Sequence, residues 1–189
     1  MSSIRWVRGV FAAIIITGGA VMPGLSQTPP PRYITPEALQ NWADNHEAIS
    51  DGLRELAEES PDPAVRARVG AYMEQMEIFA YRIFAGIEVA DGRIVDTSDK
   101  AEFDNPERLY QKALRLRVPP AVQRVYAENG LGEHGHQMFI CLLLWAVLLE
   151  VKQWNDIPRS NRVQKRLTAL ESLINPEDLA IIEDLYERM

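Results

Sequence analysis

Apolar residues recur every three or four positions along most of this chain, which is the pattern of amphipathic helices. Two long segments with this pattern, about residues 36–59 and 64–87, are separated by the helix-breaking sequence Ser60-Pro61-Asp62-Pro63. Their apolar seams consist of Leu39, Trp42, His46, Ile49, Leu53 and Leu56 in the first segment, and Val69, Tyr72, Met76, Phe79 and Ile83 in the second. Because the turn between them is short, we predict an antiparallel pair of helices.

The second segment has a wider apolar stripe than the first. Ile78, Tyr81 and Phe84 extend its seam around the helix. A helix whose apolar surface exceeds one narrow seam packs against more than one neighbour. We therefore expect this helix to contact more than one neighbour.

A third segment, residues 136–154, is apolar on every side between Met138 and Leu149. Such a helix is buried at the centre of a domain, and a run of 12 apolar residues is shorter than the roughly 20 that cross a bilayer. Shorter amphipathic segments are found at about residues 106–116, 120–129, 158–173 and 176–188. They are expected to surround the central helix.

Three helices begin with the same kind of sequence: Thr35-Pro36-Glu37, Asn105-Pro106-Glu107 and Asn175-Pro176-Glu177. A capping side chain, a proline at the first helical position and an acid near the positive helix end all favour a helix start. We predict one all-α domain over residues 35–189, a bundle of six to seven helices around a buried central helix. Asp91-Gly92, between short apolar stretches, predicts one small β-hairpin at residues 89–95.

Residues 1–26 have the three parts of a secretory signal peptide. Arg5 and Arg8 give a positively charged start, an almost entirely apolar stretch follows, and the small residues Gly24 and Ser26 occupy the positions that a signal peptidase inspects. We therefore expect export, to the periplasm or another extracytoplasmic compartment of a bacterium.

An uncleaved membrane anchor is the alternative interpretation of the same leader. The apolar stretch from Trp6 to Met22 is shorter than a comfortable bilayer span, which favours the cleaved signal peptide. In both cases the positive charges stay in the cytoplasm and the domain lies outside. Residues 27–34, with three consecutive prolines, are expected to form a stiff spacer between leader and domain.

The charge of the chain argues against nucleic acid as a partner. Its 20 basic and 27 acidic residues give a net charge of −7, which becomes −9 once Arg5 and Arg8 leave with the leader. A surface this acidic repels phosphate backbones. Two local basic groups are expected to pair with neighbouring acids or to lie on solvated helix faces; they are Arg115, Arg117 and Arg124, and Arg159, Arg162, Lys165 and Arg166.

The clearest candidate for chemistry is the sequence Glu133-His134-Gly135-His136 at the start of the central helix. Imidazole and carboxylate are ligands for zinc, copper or iron, so Glu133, His134 and His136 are candidate ligands of a divalent metal. A helical di-iron site would need a second such pair, and the glycine weakens the helix that orients the ligands. The competing interpretation is a plain helix start with solvated histidines.

His46 and Cys141 are the other residues with notable chemistry. His46 lies on the apolar seam of the first helix, where a histidine is usually a hydrogen-bonded core residue. A sharper hypothesis is that His46 reaches the 133–136 cluster, or binds haem together with Met73 or Met76. The one cysteine lies in the apolar run and is expected to be buried and inert.

These patterns favour a non-enzymatic extracytoplasmic domain that binds a protein partner or a small ligand, with a membrane contact only through an uncleaved leader. The alternative is a metal- or haem-binding helical protein that uses His134, His136 and His46. An enzyme of unknown class comes third, because the sequence contains no nucleophile elbow, phosphate loop or zinc-protease motif.

The export hypothesis makes a direct prediction about the mature N-terminus. Protein recovered from the cell envelope should be soluble and begin near Gln27, because cleavage after Ser26 matches the small-residue rule. N-terminal sequencing of the envelope fraction measures this. An intact Met1 in the membrane pellet would indicate an anchor, and an intact Met1 in the cytoplasm would refute export.

Overall fold

The computed structural model describes residues 29–96, 106–154 and 156–188. These residues form seven helices and one hairpin, in the order α1 Pro36–Glu58, α2 Pro63–Phe84, β1 Ile87–Ala90, β2 Arg93–Asp96, α3 Pro106–Leu114, α4 Pro120–Glu128, α5 Gly135–Gln153, α6 Asn161–Glu171 and α7 Pro176–Arg188. The predicted all-α bundle with a short hairpin is confirmed. The leader, residues 1–26, lies outside the described residues.

Helix α5 is the centre of the bundle, as its apolar sequence predicts. It packs against α2, α3, α4 and α6, and the rings of Trp145 and Tyr186, 5.1 Å apart between centroids, join it to α7. Eleven of its residues are buried, including Met138, Ile140 and Leu144, which have no exposed surface. Its length and composition would also allow it to cross a membrane, but most of it is enclosed by the domain.

The antiparallel pair α1 and α2 carries the predicted seams. All five seam residues of α2 are buried, whereas in α1 Leu39, Ile49 and Leu53 are buried and the other three are half-buried. Helix α2 contacts α1, α3, α4 and α5, which confirms the prediction of more than one neighbour, but Tyr81 takes no part in the buried stripe because its surface is 73% exposed. This tyrosine lies one turn before the helix ends, where the chain turns into the hairpin.

Two of the three predicted helix starts are capped as expected. The Thr35 hydroxyl accepts the N–H of Ala38 at 3.1 Å, and the Asn175 side-chain oxygen accepts the N–H of Glu177 at 2.9 Å. Asn105, the third capping residue, lies outside the described residues.

The hairpin turns at the predicted Asp91-Gly92. Both residues have positive φ, 51° and 70°, which is the type I′ geometry that suits a two-residue turn and explains the glycine. Ile94 of β2 then donates its N–H to the Pro158 carbonyl at 2.8 Å and accepts the N–H of Ser160 at 2.9 Å. Residues 158–160 thus extend the sheet, so α6 begins at Asn161, later than the predicted residue 158.

A buried arginine fixes the hairpin to the bundle. Arg166 of α6 donates to the carbonyls of Ile83 and Ala85, at 2.9 and 3.1 Å, and to the Asp96 carboxylate at 3.2 Å. The three acceptors come from the end of α2, the following turn and the end of β2. Arg166 was expected on a solvated face or paired with an acid; it is paired, but inside the domain.

The segment before α1 is packed onto the domain rather than extended away from it. Ile34 is buried, the N–H of Tyr33 donates to Asp178 Oδ2 at 2.7 Å, and the Asn175 amide donates to the Pro30 carbonyl. Arg32 forms an ion pair with Glu177 at 2.6 Å. Much of the proline-rich segment 27–34 therefore holds the chain against the start of α7.

Candidate functional site

The structure separates the three residues of the predicted metal cluster. Glu133 and His134 lie in the loop before α5, both exposed, with His134 Nε2 3.6 Å from Glu133 Oε1. The His134 ring meets the Tyr33 ring edge-on at 5.8 Å between centroids. His136 lies in the first turn of α5 and is buried.

Gly135 explains why two histidines so close in sequence point to different places. A Cβ atom built at this residue would lie 2.9 Å from Cβ of Tyr126 and 3.1 Å from Cβ of Leu131. The start of α5 therefore packs directly on α4 and the loop after it, with no room for a side chain. This close approach directs His136 into the core while His134 stays in the exposed loop.

His136 belongs to a buried chain of hydrogen bonds that joins four helices. Its Nε2 lies 2.9 Å from the Ala113 carbonyl of α3, and its Nδ1 lies 2.9 Å from the Tyr72 hydroxyl of α2. The Tyr72 hydroxyl is in turn 2.9 Å from the Tyr126 hydroxyl of α4. We call Tyr126, Tyr72 and His136 the tyrosine–histidine chain.

The carbonyl at one end fixes the direction of every hydrogen bond in this chain. A carbonyl oxygen can only accept, so a neutral His136 carries its proton on Nε2 and its Nδ1 is an acceptor. The Tyr72 hydroxyl must then donate to Nδ1, which leaves its oxygen to accept from the Tyr126 hydroxyl. All polar atoms of the chain are satisfied with the imidazole neutral.

The acid–base properties of the chain follow from its burial. Burial lowers the pKa of His136, with the Ala113 hydrogen bond acting weakly in the opposite direction. Burial likewise raises the pKa of Tyr72 well above its ordinary value and that of Tyr126 to about 12. The neutral forms of all three side chains are therefore favoured around neutral pH.

A second buried polar group surrounds the cysteine. The Tyr110 hydroxyl lies 3.1 Å from the Cys141 sulfur, and the buried carboxylate of Asp178 acts electrostatically on both. Burial is the main cause that raises the pKa of the Cys141 thiol to about 12. A thiol in this state is not a nucleophile at neutral pH, in line with the expectation of an inert cysteine.

His46 engages its own helix. Its Nδ1 lies 2.9 Å from the Ala43 carbonyl, and its ring packs beside Trp42 at 5.5 Å between centroids. Within the described residues, no three His, Cys, Asp or Glu side chains are grouped so as to hold a metal ion. A metal or haem site that used His136 would first have to break one of its two ring hydrogen bonds. The hypothesis of a metal or haem site stays a prediction.

The comparisons with known proteins add nothing to these observations. No protein family matches the chain, and no curated protein or solved structure is similar to it. The function has to be argued from the described residues themselves.

The tyrosine–histidine chain predicts that acid destabilises the fold. Because the pKa of His136 is lowered in the folded state, the unfolded chain binds more protons below its ordinary pKa of 6.5. The stabilisation is fully present above pH 6.5 and is lost as pH falls from there through the lowered pKa. The free energy of unfolding should fall by up to about 1.4 kcal/mol per pH unit in this range. Thermal unfolding between pH 8 and pH 5 measures this dependence.

Two variants separate this effect from general acid unfolding. Between pH 8 and pH 5, His136→Gln should lose less folding stability than the parent, whereas His46→Gln should lose as much as the parent. Tyr72→Phe should cost about 1–3 kcal/mol at pH 8, since it leaves His136 Nδ1 buried without a donor. An unchanged pH profile in His136→Gln would contradict the assignment.

The metal hypothesis is tested at the exposed histidine. If Glu133 and His134 contribute to a site, purified protein should bind zinc or copper stoichiometrically, and binding should weaken below about pH 6 as imidazole protonates. Titration calorimetry of the parent and of His134→Ala measures this. His134→Ala is the suitable variant because His136→Ala would also disrupt the core. Equal heats of metal binding for the parent and His134→Ala would refute the hypothesis.

Proposed function

We propose that this chain is a non-enzymatic, exported protein that acts by binding an extended segment of a protein partner at its hairpin end. The hairpin end comprises Tyr81 at the end of α2 together with strands β1 and β2. The observation that carries the proposal is the outer edge of β1, whose outward backbone groups have no partner among the described residues, together with the exposed side chains of Tyr81 and Val89.

The register of the hairpin leaves backbone groups of β1 directed outward. Ala90 and Arg93 flank the two-residue turn and form a hydrogen-bonded pair, so the next pair, Val89 and Ile94, is not hydrogen-bonded. In such a pair both residues point their N–H and C=O away from the partner strand. Ile94 uses these groups to bind residues 158–160, as described above.

Val89 is the equivalent residue on the other edge of the sheet. Among the described residues no backbone group bonds to its N–H or C=O beyond the hairpin. An edge strand with unpaired backbone groups is a template for the addition of a further strand. Val89 is 49% exposed, so it offers an apolar contact beside its outward backbone groups.

The exposed aromatic ring of Tyr81 lies at the same end of the molecule. Tyr81 and Val89 are the large apolar or aromatic side chains exposed in the described part of the chain. Tyrosine is enriched at protein interfaces because its ring combines apolar area with a polar hydroxyl. Two such side chains next to an open strand edge support a protein contact here.

The attachment of the hairpin also supports a binding role. Arg166 ties the end of β2 to α2, so the edge is held rigidly before any partner arrives. A preorganised edge loses less entropy on binding than a mobile one. The reactive side chains of the core, His136 and Cys141, are engaged in internal contacts, which favours binding over catalysis.

A groove between α1 and α7 is the competing site for a small ligand. Pro36, Leu39, Ile181 and Leu185 contribute to its apolar floor, and its volume is about 200 Å³. Ligand pockets usually measure about 300–1,000 Å³ and enclose most of the ligand. The groove is smaller and open, so a protein partner at the hairpin end is the better-supported reading.

Site-specific photo-crosslinking in cells that express the full chain tests the proposal. A photoreactive residue at position 81 or 89 should give one dominant adduct with a protein of the cell envelope, identified by mass spectrometry. The same residue at Ala71, an exposed position of α2 away from the hairpin, is the matched control and should give none.

A backbone variant then asks whether the strand edge is responsible. Val89→Pro removes the outward N–H and should reduce the adduct at position 81 severalfold, while Val89→Thr should retain it. Thermal unfolding of both variants shows whether the bundle is intact. Equal adducts at positions 71 and 81, or none at 81 and 89, would refute the proposed contact.

A further inference from the structure

Three exposed cations follow one another at the end of α3. They are Lys112, Arg115 and Arg117, which we call the basic cluster. Residues 108–119 contain four basic residues and no acidic one, in a protein with a net charge of −7. The sequence pattern led us to expect that Arg115 and Arg117 pair with neighbouring acids or lie on solvated helix faces, and both are exposed. No acid among the described residues pairs with any member of the basic cluster.

Helix stability explains part of this arrangement but not all of it. Cations in the last turn of a helix interact favourably with its negative end, and Lys112 has this position. Arg115 and Arg117 lie beyond the last helical residue, Leu114. Exposed cations that no described acid neutralises give this part of the surface a local positive charge, and such a charge attracts a partner of the opposite sign.

The basic cluster lies on the side where the chain enters the domain. The Ala113 carbonyl, in the residue after Lys112, is hydrogen-bonded to His136. The ring of His134, two residues before His136, packs on Tyr33. Tyr33 also acts electrostatically on Tyr110 of α3. The packed segment before α1 therefore runs beside the end of α3.

We propose that the basic cluster binds the anionic lipid headgroups of a membrane, so that the domain rests on the membrane with its entry side facing the lipid. This rests on the proposed export, because the leader delivers the domain across a membrane at this same side. This contact belongs to the domain itself, so the cleaved protein that begins near Gln27 would retain it.

The charges around the basic cluster are compatible with this orientation. Of the nearby acids, Glu177 is paired with Arg32, Asp178 is buried, and Glu133 lies beside His134. The acidic residues of α1 are concentrated on its exposed face, and α1 packs against α2, α4 and α7. An anionic surface would repel that face and attract the basic cluster, which defines one orientation.

Vesicle flotation with the protein purified from the cell envelope tests the proposal. One set of vesicles contains phosphatidylcholine alone, and the other contains phosphatidylcholine with phosphatidylglycerol. We expect binding to the mixed vesicles, its loss in high salt, and no binding to the neutral ones, because headgroup attraction is electrostatic and screened by ions.

Matched variants locate the contact. Lys112→Gln/Arg115→Gln/Arg117→Gln should weaken binding at least about tenfold, since each cation near an anionic surface contributes about a factor of five. Arg68→Gln/Arg93→Gln/Lys165→Gln removes the same charge from exposed positions elsewhere and should bind like the parent.

The remaining outcomes overturn the proposal. Binding to neither vesicle, equal binding to both, or equal weakening by the two triple variants would each refute the basic cluster as a lipid contact. Failure of export is detected separately, by sequencing the N-terminus of the same preparation. The hairpin contact is also independent, because its cross-linking sites lie on other residues.

Discussion

A helix that is apolar on every side must be enclosed on every side, and this requirement organises the molecule. Helices α2, α3, α4 and α6 pack around α5 and enclose most of it. One polar side chain, His136, is enclosed along with the apolar ones, and a buried imidazole without partners would cost several kcal/mol. Tyr72 and the Ala113 carbonyl remove that cost, so the positions of α2 and α3 are tied to the start of α5 by hydrogen bonds as well as by packing.

Local sequence signals predicted most of the helices because each signal acts over a few residues. The seam of α2, the caps at Thr35 and Asn175 and the turn at Asp91-Gly92 all have this local character. The start of α6 was misplaced because residues 158–160 are recruited by Ile94, more than 60 residues earlier in the chain. No sequence signal near Pro158 indicates its pairing with Ile94.

The environments of the candidate site residues are likewise determined by contacts between residues that are far apart in the sequence. Glu133, His134 and His136 resemble one ligand set in sequence, but Gly135 packs against Tyr126 and separates them into exposed and buried side chains. Arg166 looks like part of a basic helix face, yet its acceptors lie at the end of α2 and in β2. A tyrosine on an apolar seam facing a helix-start histidine is the one signal that could have indicated the buried chain.

The burial of Cys141 has a consequence for the lifetime of the protein if the domain is exported as proposed. In an oxidising compartment, an accessible lone thiol would join two copies through a disulfide or bind another thiol. Here the sulfur is enclosed by α5 and Tyr110 and stays protonated, so the folded molecule is spared. Only a copy whose core has opened exposes the thiol, and oxidation would then trap that copy in its unfolded form. In such a compartment the cysteine would oppose refolding of opened copies while leaving the native state untouched.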